Sequence, residues 1–303
     1  MKNILIRTDS SSKIGTGHVM RDLVLAKKFP KDNIFFATQN LEGNINYKIK
    51  EMMYNLHILN SNCTNELIKL IKNLKIDMII IDQYDIDFLK EKKIKDETNI
   101  EIFVLDDFYQ KHYCDTLLNH NIGAQKEKYS SLVPSFTKIL CGHKYALIRE
   151  EFILEKKRVI DKKSKTKIFL IMGGIDLLNL NVPIIYELQR FSDLEIDVVT
   201  TSSNKNLSNL KKTADRFNNV KLYIDSNNIA KLMNESSLVI TTPSVTINEV
   251  FFLEKPFIAI KVANNQNDIY DYLKKNNYAV MENFSKNQFN KMLDKFIKGF
   301  VSE

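Results

Sequence analysis

Short, unbroken apolar runs alternate with helical patterns along this chain, and each run stops at a polar turn. Residues 3–7 (NILIR), 33–37 (NIFFA), 78–81 (MIII) and 102–105 (IFVL) are such runs. Between them, residues 18–28 put Val19, Leu23 and Ala26 on one helical face, and residues 66–74 repeat the design with Leu67, Leu70, Ile71 and Leu74. A strand that is apolar at every position needs cover on both faces, which is the condition of a parallel sheet flanked by helices.

The pattern restarts in the second half. Residues 167–171 (KIFLI), 195–200 (EIDVVT), 220–224 (VKLYI), 238–240 (LVI) and 256–260 (PFIAI) read as strands, with helices at 229–233 and 247–253. The expectation is α/β: two doubly wound Rossmann-like domains, 1–150 and 168–303, joined by a charged linker at 151–167, with a cleft between them. Ligands of such sheets sit beyond the carboxyl ends of the strands, so the polar turns are where function is sought. Residues 287–300 (NQFNKMLDKFIKGF) read as an amphipathic helix that packs back across the domain junction.

Charge excludes one class of partner. Of the formal +7, residues 151–167 carry +4 (7 Lys+Arg against 3 Asp+Glu), residues 1–150 carry +3 (22 against 19), and residues 168–303 carry none (15 against 15). The basic stretch lacks the interleaved aromatics of a nucleic-acid stacking platform, so no nucleic-acid partner is expected. No run approaches the roughly 18 apolar residues of a membrane span, so no membrane partner is expected. The chain starts without a signal-peptide pattern. Cys63, Cys114 and Cys141 show neither a metal spacing nor a disulfide pattern. A cytoplasmic monomer without metal or cofactor is the expectation.

The strongest chemical signal is the first strand-to-helix turn, DSSSKIGTGH. Gly15 and Gly17 permit positive φ and close backbone approach. His18 falls at a helix start, whose positive end would keep the imidazole neutral and able to accept a proton. Tyr84, after the MIII strand, either hydrogen-bonds into the cleft or packs over the sheet edge. Of Asp106 and Asp107, one could orient His18, although capping the next segment is the better single role. His57, His112, His120 and His143 share no spacing and suit surface or satisfied core roles.

In the second half, Gly173 and Gly174 allow close backbone approach to a ligand. Ser244, Val245 and Thr246 lie in a hydroxyl-rich turn at a helix start, an anion-binding geometry. Glu249 follows one turn later, where a carboxylate can bind a ribose diol or complete a cap. Asn265 and Gln266 open a later helix with carboxamides that suit sugar hydroxyls or N-acyl groups.

The segments DSSSKIGTGHVMRDLVLAKKF, CGHKYALIREEF, MGG, FNNVKLYIDSNNIAKLMNES and NNQ resemble the UDP-sugar hydrolase family of pseudaminic acid biosynthesis over residues 1 to about 280. The second half is similar, more distantly, to the UDP-binding half of the GT-B transferase that makes lipid II. The resemblance implies a GT-B-like fold and metal-independent hydrolysis of UDP-2,4-diacetamido-2,4,6-trideoxy-β-L-altropyranose with inversion at the anomeric carbon. It implies His18 as the base acting on water, with Tyr84 and Asn265 in support. It further implies Ile224 at the uracil, Ser244, Val245 and Thr246 at the pyrophosphate, Glu249 at the ribose, and Gly173 and Gly174 beside the nucleotide. Gln83 stands where that family is expected to carry His, and the chain diverges after about residue 283. The alternative is a GT-B glycosyltransferase using a UDP-N-acetylhexosamine donor, and a non-enzymatic nucleotide- or nucleic-acid-binding protein is a third reading.

Overall fold

The computed structural model describes residues 1–159 and 166–301 and divides into two compact units, residues 1–147 and 148–303. In the first unit the strands are β1 (Asn3–Thr8), β2 (Asn33–Gln39), β3 (Asn55–Leu59), β4 (Met78–Asp82), β5 (Glu101–Leu105), β6 (Thr116–Asn119) and β7 (Lys138–Cys141). They form one seven-stranded sheet in the order β3-β2-β1-β4-β5-β6-β7, and every pairing is parallel. Its helices are α1 (Gly17–Ala26), α2 (Asn46–Glu51), α3 (Thr64–Asn73) and α4 (Phe88–Thr98). Ile4 and Ile6 of β1 enter one core cluster and Leu5 enters another. β4 divides in the same way, with Met78 and Ile80 on one side and Ile79 and Ile81 on the other. Unbroken apolar strands are therefore buried on both faces, as their sequence requires.

The second unit begins with helix α5 (Glu150–Lys156). Its strands are β8 (Lys167–Ile171), β9 (Glu195–Thr200), β10 (Val220–Ile224), β11 (Leu238–Thr241), β12 (Phe257–Ile260) and β13 (Val280–Met281). They too are parallel, in the order β10-β9-β8-β11-β12-β13. The remaining helices are α6 (Asn181–Leu188), α7 (Leu207–Ala214), α8 (Ile229–Glu235), α9 (Thr246–Phe252), α10 (Asn267–Lys275) and α11 (Lys286–Val301). No helix among the described residues is long and apolar enough to cross a membrane.

Two expectations change here. The stretch 151–167 is not linker throughout: α5 occupies its start, with Phe152 fully buried, and Asn234 donates to the Glu155 carbonyl at 2.7 Å. Residues 160–165 of that stretch lie outside the described residues. The C-terminal helix α11 places Phe289 and Leu293 in the second unit's own core, and Asn290 donates to Glu187 on α6 at 2.9 Å. These apolar side chains are thus spent in the core of their own unit.

Each sheet reverses its strand order once, between β1 and β4 in the first unit and between β8 and β11 in the second. At such a reversal the flanking connections leave in opposite directions and open a crevice at the carboxyl ends of the strands.

The first unit also buries a charged pair. His112 Nδ1 is 2.7 Å from Glu91 on α4, and its Nε2 is 3.6 Å from Asp106. Burial disfavours the imidazolium, but the two carboxylates outweigh it and push the His112 pKa up to about 9. A raised folded pKa contributes stability that is complete below the ordinary histidine value and disappears as pH climbs through the folded one, here about 3 kcal/mol in all. Thermal melts between pH 6.5 and 9 should therefore show Tm falling by several degrees, and His112→Gln should flatten that slope. An equal slope in the variant would assign the pH dependence to other groups.

Candidate active site

The turn after β1 is a closed loop. Ser11 and Gly15 exchange backbone hydrogen bonds at 2.9 and 3.1 Å, and Ser11 Oγ accepts from the Lys13 and Ile14 amides. Gly15 sits at φ +82°, a conformation that a side chain rarely adopts, so glycine has a backbone reason there. Gly17 has none of this kind: it is the first residue of α1 and is absent from the positive-φ positions, a correction to the expectation that both glycines use that freedom. Behind the turn, buried Asp9 accepts from Arg7, the Gln39 amide and Gln83, each at 2.6 Å.

The loop delivers His18 to the first turn of α1, beside the end of β4. There its Nδ1 lies 2.8 Å from Asp82 Oδ1 and 3.2 Å from the Asp82 carbonyl. With Nδ1–H assigned as the donor from these partners, Nε2 keeps a lone pair that can take a proton. Arg21, one turn further along α1, donates to the same Asp82 from Nε at 2.6 Å and from Nη2 at 2.5 Å. Its Nη1 reaches both oxygens of Asp107, at 3.0 and 2.8 Å. Asp107 also accepts from the Tyr84 hydroxyl at 3.0 Å. The Tyr84 ring meets His18 edge-on, with centroids 4.7 Å apart.

Burial alone would raise the Asp82 pKa and lower that of His18, yet the pair overcomes both tendencies. Arg21 first and His18 second hold Asp82 well below the usual carboxylate range. Asp82 in turn raises the His18 pKa against burial and against the opposing Arg21 charge. The helix-start expectation that the imidazole pKa is held down is corrected by this carboxylate in direct contact, which raises it. Burial and Asp107 lift the Tyr84 hydroxyl far above its ordinary pKa, so Tyr84 acts as a hydrogen-bond donor rather than a base.

The structure brings His18 and Tyr84 together and assigns the two adjacent aspartates different tasks. Asp106 caps the next segment by accepting from the Phe108 and Gln110 amides. Asp107 faces Arg21 and Tyr84 but does not hold His18. The carboxylate on His18 is Asp82, which sequence reasoning did not single out. Arg21 and the fully buried Asp22 were missed as well. The available signal was spacing: His18, Arg21 and Asp22 lie at i, i+3 and i+4, a polar row on an otherwise apolar helix.

In the second unit, Gly173 and Gly174 follow β8, and Ser244, Val245 and Thr246 lead into α9 after β11, so both turns flank the strand-order reversal. A Cβ on Gly174 would come within 2.9 Å of the Thr201 side chain, and the Gly174 carbonyl accepts from Thr200 and Thr201. The start of α6 is filled by the chain itself: Asp176 accepts from the Leu180 and Asn181 amides at 2.8 and 3.0 Å. Thr242 donates to Ser244 at 3.1 Å. Ile224 ends β10, an edge strand that turns one row of backbone groups away from the sheet. Glu249 is held in a two-point pair by Arg149, at 2.7 and 3.0 Å. Asn265 is exposed on a short 3₁₀ turn before α10, whereas Gln266 is buried and accepts from the Val262 amide at 2.8 Å.

The chain is 44% identical to the UDP-2,4-diacetamido-2,4,6-trideoxy-β-L-altropyranose hydrolase of Campylobacter jejuni, over 91% of this chain and 98% of that protein. It belongs to that family of UDP-sugar hydrolases. No protein-family model matches the chain. Among solved structures, MurG of Acinetobacter baumannii superposes with a TM-score of 0.66 at 12% identity, covering 98% of this chain and 91% of that one. Anabaena HepE, solved in complex with UDP-glucose, gives 0.62 at 11% identity, covering 99% and 91%. At these identities the likeness concerns the fold, and it is the GT-B fold of two Rossmann-like domains. Within the hydrolase family, the amide at position 83 has a definite task in this chain: Gln83 donates to Asp9 and accepts from the Asp85 amide at 3.1 Å.

Proposed function

We propose that this chain hydrolyses UDP-2,4-diacetamido-2,4,6-trideoxy-β-L-altropyranose to UDP and 2,4-diacetamido-2,4,6-trideoxy-L-altropyranose. The observation that carries the reading is the 44% identity along nearly the whole Campylobacter hydrolase, joined to a His18–Asp82 pair at 2.8 Å. His18 Nε2 removes a proton from water, and the water oxygen forms a bond to the anomeric carbon. The bond from that carbon to the β-phosphate oxygen breaks on the opposite face, and UDP leaves with the electron pair. Asp82 stabilises the imidazolium that forms, as an orienting carboxylate does for other histidine bases. Tyr84 and Asn265 offer hydrogen bonds to the sugar, and Gly15 and Gly17 keep side chains out of its way.

In this reading the second unit holds the nucleotide. Backbone at Ile224 meets the uracil, which suits an edge strand. Amides and hydroxyls at Ser244, Val245 and Thr246 take the diphosphate. Arg149 occupies the Glu249 carboxylate only in part, since a carboxylate has about four acceptor sites and can still receive ribose hydroxyls. Gly173 and Gly174 admit the nucleotide by close backbone approach, and Gln266 braces the Asn265 turn. The free cysteines Cys63, Cys114 and Cys141 suit action in the cytoplasm, and the chain works as a monomer.

UDP release measured without any acceptor is the test. The 2,4-diacetamido substrate should be turned over and UDP-N-acetylglucosamine should not. Release that depends on an added acceptor would favour a glycosyltransferase, and equal rates on both substrates would remove the assigned sugar.

A further inference from the structure

Two side chains of the proposed reaction, His18 and Tyr84, are each held by a carboxylate, and one guanidinium holds both carboxylates. We propose that Arg21 is a positioning residue that fixes His18 relative to Tyr84 and limits the negative charge that Asp82 presents to the imidazole. This rests on the reading of His18 as the base. The geometry is a chain of direct contacts: His18 to Asp82, Asp82 to Arg21 through Nε and Nη2, Arg21 to Asp107 through Nη1, and Asp107 to the Tyr84 hydroxyl. Arg21 is buried, so its links do not compete with bulk water. A guanidinium is planar and presents its N–H groups in a rigid fork, so it can set the angle between two acceptors, which an ammonium on a flexible stem cannot. Because a displacement of about 1 Å can cost on the order of 10²-fold in rate, such a brace matters beyond its charge.

The groups facing this arrangement come from several elements. Asp82 comes from β4, with Tyr84 just beyond it, and Asp107 from the turn after β5. His120, after β6, places Nε2 3.5 Å from Arg21 Nη1. His18 and Asp22 share α1 with Arg21. Burial and the Arg21 charge hold the His120 pKa down to about 4, which leaves that ring neutral at working pH. Burial and Asp82 raise the Asp22 carboxyl well above the usual carboxylate range. His18 is then the cluster member whose proton the proposed reaction moves, and the charges around it set its pKa. The Arg21 cation lowers its pKa and Asp107 raises it, in opposition.

The opposition gives a test that simple loss of structure does not imitate. In Arg21→Gln, Asp82 acts on His18 without its counter-charge, so the acid limb of kcat/KM should move up by about one pH unit. In Asp107→Asn the raising charge is gone and Arg21 is left to Asp82, so the limb should move down. Arg21→Lys keeps a charge in place; kcat should fall roughly 10–100-fold with KM within about 3-fold, since the fork is lost while binding is not. The ring titration of His18, followed by NMR of ¹⁵N-histidine protein, should shift in the same directions without reference to turnover. Should Arg21→Gln fail to fold, Arg21→Lys, which keeps the buried charge, still decides the matter through its split between kcat and KM. Limbs and ring titrations that stay at the wild-type position, or losses confined to KM, overturn the inference. If His18→Ala keeps the wild-type rate, the base assignment fails; if it is inactive while the limbs stay fixed, only the role of Arg21 fails.

Discussion

Replacing His18 with alanine is expected to lower kcat for UDP release by about 10²–10⁴-fold, the usual contribution of a positioned general base. The dissociation constant for UDP should hardly change, because the proposed contacts to the nucleotide all come from the second unit. The two readouts together separate loss of chemistry from loss of binding. The wild-type enzyme adds a pH signature. A base works only when deprotonated, and Asp82 raises the His18 pKa even though burial and Arg21 oppose it. Activity should therefore fall on the acid side with a midpoint above the ordinary histidine value of about 6.5, and that limb should vanish from the residual activity of His18→Ala. Wild-type turnover in the variant would take His18 out of the mechanism.

Asp82→Asn should be nearly as damaging, for a different reason. The carboxylate accepts from His18 Nδ1 and leaves the Nε2 lone pair to meet water. An asparagine can turn its NH₂ toward Nδ1, which favours the tautomer with the proton on Nε2, where the base must be empty. A loss on the order of 10²–10⁴-fold in kcat follows from an imidazole held in that wrong form. Stability should drop as well, because Arg21 loses a buried counter-charge; breaking such a pair costs about 3–5 kcal/mol. Urea unfolding and kcat measured on the same preparation check both expectations. An active variant would leave Asp82 as a structural partner of Arg21 only.

The fold was largely legible because the parallel strands in its centre carry unbroken apolar runs. β1, β4, β5 and β8 announce themselves in this way, and the segments after β1, β4 and β8 hold His18, Tyr84, Gly173 and Gly174. Elements without that contrast were harder to see. Helix α4 buries only Glu91 and Ile94, so its sequence shows no apolar stripe, and β6 and β7 are four residues each. The start of the basic stretch reads as linker by charge, yet Phe152 anchors it as a helix. His18 and Tyr84 were visible because each lies past the carboxyl end of a strand, His18 at the start of the next helix and Tyr84 just beyond β4. Their electrostatics were not, since Asp82 lies 64 residues from His18 and Asp107 lies 86 from Arg21. Pairings of that kind depend on strand order, which no local pattern states. A helix-start argument for a neutral His18 was sound locally and was outweighed by a carboxylate that local reasoning could not place.

The helix that carries the base begins without the usual fastening. Thr16 makes no side-chain cap, and the first turn of α1 holds no acidic residue. Ordinarily such an end frays, because its N–H groups lack partners. What holds it is the grip of Asp82 on His18 and Arg21. Opening of this one turn withdraws the base while the sheet beneath stays intact, so the ensemble contains molecules that are folded by any spectroscopic measure yet catalytically silent. Warming should enlarge that population before the core yields, and thermal inactivation should therefore run ahead of global unfolding.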